Sequence, residues 1–268
     1  MRADLVSDGL WERVAPLLPP APERRHRHPG RLRVPDRVAL AGGMYVLRAG
    51  VAWRDVPAEA VGCSGVTAWR RLRDWTEAGV WPRLHAALLT ELRRAGLLGL
   101  DGCSVDGSHV RALKRGDHVG PSPVDRARSG SKHHLIVDRH GTPLAVTLTG
   151  GNRHDVTQLL PLLDAVPSIR GLRRPHHRPR RLYADRGYDF DKYRRLLWKR
   201  GTKPMIARRG VAHGSGLGKV RWVVERAFAW LHRFKRLRTR YERRTDLHQS
   251  LLELACSLIC LRRLRTSS

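Results

Sequence analysis

Two aspartates in this chain end short apolar runs next to a glycine turn: Asp106 in "SVDGS", followed at once by Gly107, and Asp185 in "RLYADRG", just ahead of Gly187. If the strands that carry them are neighbours, their like ends place two carboxylates side by side beyond the edge of a sheet, where open α/β sheets keep their sites. Two such anions repel each other. A divalent cation between them relieves the repulsion, and oxygen-only ligands with room for water and phosphate suit Mg²⁺ or Mn²⁺. Either aspartate taken alone could instead satisfy turn backbone or cap the next helix.

A third carboxylate is offered by "KVRWVVERAFAWLHRFKRLRTRYERR". On a helix that advances about 100° per residue, Arg221, Glu225 and His232 fall within about 40° of one another. Trp222, Val223, Phe228, Trp230 and Phe234 around them supply apolar anchorage. A plain i to i+4 ion pair between Arg221 and Glu225 is the simpler alternative.

The elements that must position these groups begin near residue 98. "CSVDGSHV", "KHHLIVDRHG" and "PLAVTLTGGN" read as a β-meander, divided by a Gly/Ser/Pro loop at Arg115 to Ser131 and a tight His140-Gly141 turn. A helix, "DVTQLLPLLDAV", capped by Asp155, precedes a basic loop, "RGLRRPHHRPRR". Then come the strand "RLYADRG", the helix "DKYRRLLWKRG", the strand "KPMIARR" and two long helices from about Val220 onward. Three sequential strands and then alternating helix and strand predict an α/β domain with a mixed sheet over 98–268.

Residues 1–97 read as helical. "SDGLWERVAPLL" has Ser7 as cap and a stripe of Leu10, Trp11, Val14, Leu17 and Leu18, stopped by Pro19-Pro20. Residues 19–35 hold five Pro and five Arg, a composition that predicts either a solvated linker or a basic arm laid along DNA phosphates or into a minor groove. Two further helices are readable in "DRVALAGGMYVLRAG" and "SGVTAWRRLRDWTEAG", the second capped by Ser64. Val66, Trp69, Leu72 and Trp75 form its apolar stripe and leave Arg70, Arg71 and Arg73 to the sides, the pattern of a helix-turn-helix-like module that presents a basic helix to a major groove.

With 52 Lys+Arg against 24 Asp+Glu and a formal net charge of +28, the natural partner is a polyanion, DNA or RNA before others. Only seven of the 52 are Lys; the arginine bias suits phosphate contacts, and a genome rich in G and C would produce it equally. The start "MRADLVSDGLWERV" has no secretory pattern and no apolar run approaches the ~18 residues of a membrane span, so no membrane association and a cytoplasmic location are expected. Cys63, Cys103, Cys256 and Cys260 contain no CxxC pair, which argues for buried free thiols rather than a zinc site.

Taken together, these motifs resemble those of bacterial insertion-sequence transposases of the DDE type. "SVDGSHVRALKRG" is similar to the family's first Asp motif, "LYADRGYD" to its second, and "RWVVERAFAWLHRFKRLRTRYERR" to its third, which normally reads Tyr-x2-Arg-x3-Glu-x6-Lys. "VAWRDVP" and "VTAWRRLRDW" resemble the small DNA-binding domain that often precedes it. The resemblance implies an α/β ribonuclease-H-like mixed sheet flanked by helices, preceded by a small all-α helix-turn-helix-like domain. It implies that Asp106, Asp185 and Glu225 are the catalytic and metal-binding triad, holding two Mg²⁺ or Mn²⁺ ions, with Arg221 as the arginine four residues before the glutamate. Two positions depart from the pattern: Gly218 stands for the tyrosine and His232 for the lysine. His232, or Arg233 and Lys235 beside it, would then handle the DNA end, and Lys132 and His133 would reach phosphate near the first Asp. The basic run Arg233 to Arg244 would track phosphates farther out. The implied partners are the element's terminal inverted repeats and target DNA, gripped by a homodimer, with the protein nucleoid-associated when bound. The implied reaction is 3′-end hydrolysis and then strand transfer. A nuclease of the same fold that cuts without joining, and a catalytically silent transposon-derived DNA-binding protein, are the alternatives.

Overall fold

The computed structural model of the chain describes residues 5–23, 27, 32–169, 179–211 and 216–266, with only the backbone of Lys219. Residues 24–26 and 28–31 of the expected basic arm and residues 170–178 of the basic loop lie outside the described residues.

A mixed sheet forms the centre, as the strand and helix pattern predicts. Its long strand β1, Gly102–Ala112, pairs antiparallel with β3, Ser129–Asp138, which pairs in turn with β4, Pro143–Gly150. Two residues of β2, Gly120–Pro121, extend the edge that β4 leaves on β3. On the other side, β1 pairs in parallel with β5, Arg181–Ala184, which pairs in parallel with β6, Lys203–Ile206. The short β7, Thr239–Arg240, pairs with Arg111 and Ala112 of β1, beyond the point where β5 stops. The edge of β1 between its β5 and β7 partners, Val105 to Val110, is therefore left without a strand.

Helices cover both faces. The helix α1, Asp8–Val14, ends early because Pro16 turns the chain into a 3-10 helix at Ala15–Leu17. Next come α2, Asp36–Ala49, α3, Ala58–Val61, α4, Gly65–Glu77, and α5, Val80–Arg94. After the meander stand α6, Leu159–Ala165, α7, Asp191–Lys199, α8, Gly218–Leu231, and α9, Thr245–Thr266. The expected caps differ in outcome. Ser64 Oγ accepts from Thr67 N at 3.3 Å, whereas Ser7 makes no cap bond and accepts from Arg265 Nη2 at 2.6 Å.

In α4 the expected stripe is displaced: Gly65, Ala68, Leu72 and Trp75 are buried, Trp69 is half-buried and Val66 is 53% exposed. Three-residue steps drift about 60° backwards each time, so a stripe of such steps leaves the buried face; i+3/i+4 spacing stays on it. Glycine is required where α4 begins, because a Cβ on Gly65 would meet Trp53 O at 1.6 Å.

One apolar core runs through both regions, from Leu10, Leu40, Trp75 and Leu84 across Val105, Leu135 and Val146 to Leu251 and Cys260. The helix α9, buried on most sides, packs between α5 and β4. All four cysteines are buried free thiols.

The run Arg233 to Arg244, expected to track phosphates, breaks after α8 into a 3-10 turn at Lys235–Leu237 and then β7. Its arginines divide accordingly. Arg236 and Arg240 are 3% and 0% exposed: Arg236 pairs with Glu242 at 2.7 Å and donates to Val51 O at 2.9 Å, while Arg240 reaches Ser131 Oγ and His118 O, each at 3.0 Å. Burial alone would raise the Glu242 carboxyl, but the His248 hydrogen bond and the Arg236 charge overcome it and hold it at about 2. A folded value below the unfolded one, about 4.3, means the stabilisation is complete above pH ~4.3 and is lost as pH falls through about 2. Glu242→Gln, which strands the buried Arg236 charge, is expected to cost about 3–5 kcal/mol at pH 7 and to flatten the loss of stability below pH ~4.3, both read by urea unfolding.

Candidate active site

The first two carboxylates are brought level by strand register. Ser104 of β1 pairs with Tyr183 of β5 in parallel, so Asp106 and Asp185 each lie two residues beyond the last pair. Parallel neighbours in register point to the same face. Asp106 is not at the end of its strand, as expected from sequence; β1 continues to Ala112 because β3 and β7 still pair with it. What ends at this level is β5, and Asp106 sits on the open edge that results.

The third carboxylate is delivered by α8. Val224, Ala227 and Leu231, all 0% exposed, seat the helix on the sheet, and its flank carries Arg221 and Glu225 over Asp106. The Arg221 guanidinium bridges the two acids: Nη1 lies 2.8 Å from Asp106 Oδ2 and Nη2 lies 2.9 Å from Glu225 Oε1. Asp106 Oδ1 accepts from Gly107 N at 2.8 Å, and Asp185 Oδ1 accepts from Gly187 N at 2.9 Å. The simpler alternatives, an i to i+4 ion pair and a turn-capping aspartate, are thus both realised within the same cluster.

Electrostatics explains the arrangement. Burial pushes the Asp106 carboxyl up; the Gly107 N–H and the Arg221 charge pull it down, and the Asp185 charge pushes it up again. Among the described residues no three His, Cys, Asp or Glu side chains are gathered closely enough to hold a metal ion. Three anions do not converge without a cation, and here the guanidinium takes the cation's part for two of them.

Strand alternation separates the other expected phosphate contacts from this cluster. Lys132 pairs with His109, so it lies on the sheet face opposite Asp106. It is 5% exposed and bonds Asp155 Oδ1 at 2.9 Å and Arg153 O at 2.8 Å. His134 shares that face, its Nδ1 3.7 Å from the same Asp155 oxygen. Asp155 therefore serves this pair rather than capping a helix, where it makes no cap bond. His133 shares the face of Asp106 but is fully buried, its Nε2 2.9 Å from His248 Nε2. Burial, then the neighbouring His248, holds its ring neutral. Neither Lys132 nor His133 is placed to meet a phosphate, because β3 is an inner strand with helices on both faces.

His232 is also turned inward. It is the residue that ends α8, and its ring packs near Phe228 and His133 with Nε2 buried and unpartnered. Burial and then Arg238 lower its tendency to protonate, against the expected phosphate contact. Arg233 and Lys235 are exposed just beyond it, about 12 Å or more along the helix direction from Glu225. In α4, Arg70 is exposed, whereas Arg71 is tied to Asp36 at 3.1 Å and Arg73 pairs with Asp74 at 2.8 Å beneath the Trp69 ring.

Two residues near the cluster were not assigned to it by sequence reasoning, which read Asp155 as a helix cap. Asp155 approaches the back of the site, since a Cβ on Gly107 would lie 2.9 Å from its Oδ1. Tyr188, inside the "LYADRGYD" motif, is 1% exposed; its spacing, three residues after an aspartate in a tight turn, is the signal that places it under that turn.

The family profile described as the transposase DDE domain matches residues 98–260, and that of a putative transposase of the IS4/5 family matches residues 6–85. The putative transposase for insertion sequence element IS402 of Burkholderia cepacia is 63% identical over 148 residues, 55% of this chain and 70% of that protein. An uncharacterized 16.2 kDa protein of insertion element IS402, also from Burkholderia cepacia, is 50% identical over 124 residues, 46% of this chain and 84% of that protein. Among solved structures, the Mos1 mariner paired-end complex with Mn has a TM-score of 0.33 and 12% identity, covering 92% of this chain and 82% of its own. The Mos1 strand transfer complex has the same TM-score at 13% identity, covering 91% and 79%. With the DDE-domain profile spanning more than half of its length, the chain belongs to the DDE transposase family of insertion sequences.

Proposed function

We propose that this transposase cleaves the 3′ ends of its element and joins them to target DNA, with Asp106, Asp185 and Glu225 as the catalytic and metal-binding triad. The observation that carries the reading is the β1–β5 register, which levels Asp106 with Asp185 on an open strand edge, together with the Arg221 bridge from Asp106 to Glu225. A divalent ion is what the DDE family calls for in general. The residues fit one by the kind of donor: the three groups are all carboxylates, and a guanidinium stands in for the cation between two of them. Two ions, Mg²⁺ or Mn²⁺, held by these three carboxylates would activate the attacking oxygen and stabilise the leaving one.

The chain's own groups do the rest. Arg221 neutralises Asp106 and Glu225, and its fork would be able to grip a phosphate if the carboxylates turned to other ligands. The first displacement uses water and leaves a 3′-hydroxyl; the second uses that hydroxyl against a target phosphodiester at the same place. No protein nucleophile is needed. The division at 97/98 separates a DNA-gripping helical half, with the 19–35 arm and the exposed Arg70, from the catalytic half. Arg233 and Lys235 extend the basic track beyond Glu225. A homodimer on paired terminal repeats is the assembly the family resemblance implies. No helix among the described residues is long and apolar enough to cross a membrane.

The testing experiment incubates the protein with labelled DNA bearing the element's ends, a supercoiled target and Mg²⁺ or Mn²⁺. Asp106→Asn, Asp185→Asn and Glu225→Gln are each expected to lower cleavage and joining by at least about 10²-fold, the scale of losing one preorganised electrostatic group, with DNA binding retained. Cleavage without joined products would favour the nuclease reading; binding without cleavage would favour the silent one. Arg221→Ala removes the cation that occupies the Asp106 and Glu225 oxygens, so it is expected to bind Mn²⁺ more tightly than the wild type while cleaving more slowly. For DNA binding, Arg70→Ala is expected to reduce the salt slope of duplex affinity by about 1. Arg71→Ala, which breaks an internal ion pair, should lower thermal stability instead.

A further inference from the structure

The helix α8 has a second chemical flank. Arg221 and Glu225 stand over Asp106, and about 100° farther round the helix Trp222, Arg226 and Trp230 follow one another at four-residue steps. The Arg226 guanidinium lies over both indoles, 4.3 Å from the Trp222 ring centre and 4.9 Å from that of Trp230. Its Nη2 also donates to His140 O at 2.6 Å, in the turn between β3 and β4. Cation–π contact and hydrogen bond together hold the aromatic stripe in place. Trp222 nevertheless remains 47% exposed.

This stripe borders a groove made of two adjoining cavities, which share Trp230, Arg263 and Thr266 and lie between α8, the β3–β4 turn and the last turns of α9. Phe234, Leu258 and Ile259 give it an apolar floor. Among the described residues that line it there is no carboxylate, and its permanent charges are all arginine: Arg48, Arg139, Arg226, Arg233, Arg262 and Arg263. Arg233 and Arg262 are exposed. An arginine-lined groove repels a second copy of a chain with net charge +28 and calls for an anion. Duplex phosphates would satisfy the guanidinium groups, but the faces of paired bases are covered by stacking, so a duplex offers nothing to the open indole and the apolar floor. An unpaired strand offers both, bases for aromatic rings and phosphates for arginines. We propose that this groove binds an unpaired stretch of DNA, with Trp222 as a stacking platform and Arg233 and Arg262 as phosphate contacts. The inference rests on the reading of the chain as an enzyme that handles DNA ends, and adds to it a second binding surface on the neighbouring flank of the helix that carries Glu225.

The test measures binding of the full-length protein to a dye-labelled oligo-dT and to a duplex of the same length, by fluorescence anisotropy over a range of salt concentrations. Trp222→Ala is expected to weaken oligo-dT binding at least about fivefold, the lower end of what one stacked base contributes, and to leave duplex binding nearly unchanged; Trp222→Phe, which keeps a ring, restores most of the loss. Arg262→Glu is expected to weaken oligo-dT binding and to reduce its salt slope by about 0.7 or more. Arg195→Glu on α7 makes the same charge change outside the groove and is expected to do much less. Equal losses for Arg262→Glu and Arg195→Glu, or a Trp222→Ala protein that binds oligo-dT like the wild type, overturn the proposal. So does an acidic peptide that displaces oligo-dT equally well from the wild type and from Trp222→Ala, since the groove would then recognise charge alone. A cleavage assay with Asp185→Asn runs beside these. If that variant loses cleavage while Trp222→Ala binds oligo-dT normally, the groove inference fails and the triad reading stands. If the wild type binds neither oligo-dT nor duplex, the DNA-handling reading fails and this inference with it.

Discussion

Mutual repulsion of carboxylates at one sheet edge is the constraint around which this molecule is arranged. Asp106 and Asp185 are forced level by the parallel register of β1 and β5, and Glu225 is held over them by a helix whose underside is wholly buried. Left alone, such a cluster would push its members apart or take up protons. The chain supplies its own countercharge in Arg221, one turn before Glu225 on the same helix, close enough to touch two of the three acids. An ion held by these carboxylates, as proposed, would compete with the arginine for the same oxygens, and a single side chain would then link the site to whatever else can bind a guanidinium, a phosphate first of all.

The helix α8 can hold that position because the chain on its C-terminal side is anchored. Beyond Leu231 the chain turns back through Arg236, Arg240 and Glu242, which are buried and mutually satisfied and which reach the helical region through Val51 O and the sheet through Ser131 Oγ. His248 of α9 joins this network to His133 of β3. In a low-dielectric interior such contacts stabilise only when complete, and most of their polar atoms are paired. A displaced network would shift α8 against β1 and separate Glu225 from Asp106. The excess of arginine is therefore of two kinds: some residues fix the fold from inside, and others, among them Arg70, Arg233 and Arg262, stand exposed and carry part of the net +28.

Much of this is legible in the residues. The change from helical to strand periodicity near residue 98, the meander, the mixed sheet and the capping role of Ser64 are set by local pattern, because apolar period and turn chemistry act over a few residues. The three motifs in order identify the family, and the shared helix face of Arg221 and Glu225 is a matter of about 100° per residue. The readings that fail are those in which a charged or polar side chain is placed by type alone. Lys132 and His133 read as a phosphate-reaching pair, and the whole run Arg233 to Arg244 reads as a phosphate track, although Arg236 and Arg240 within it are buried.

Only tertiary structure decided those cases, for one physical reason. A side chain's exposure depends on how many neighbours its element acquires, and sequence pattern does not count neighbours. Once β3 lies between β1 and β4 with helices on both faces, alternation sends Lys132 to Asp155 and His133 to His248, and neither can reach a phosphate. The same holds for Asp106: its type and its glycine neighbour mark it as a candidate, but its place on an open edge comes from β5 stopping and β7 starting along a strand that itself continues. The sequence by itself determined which chemistry the chain carries, since carboxylates and arginines are what they are in any fold. Which of them converge, which are buried in pairs and which are left facing solvent was decided by register and packing across more than a hundred residues of separation.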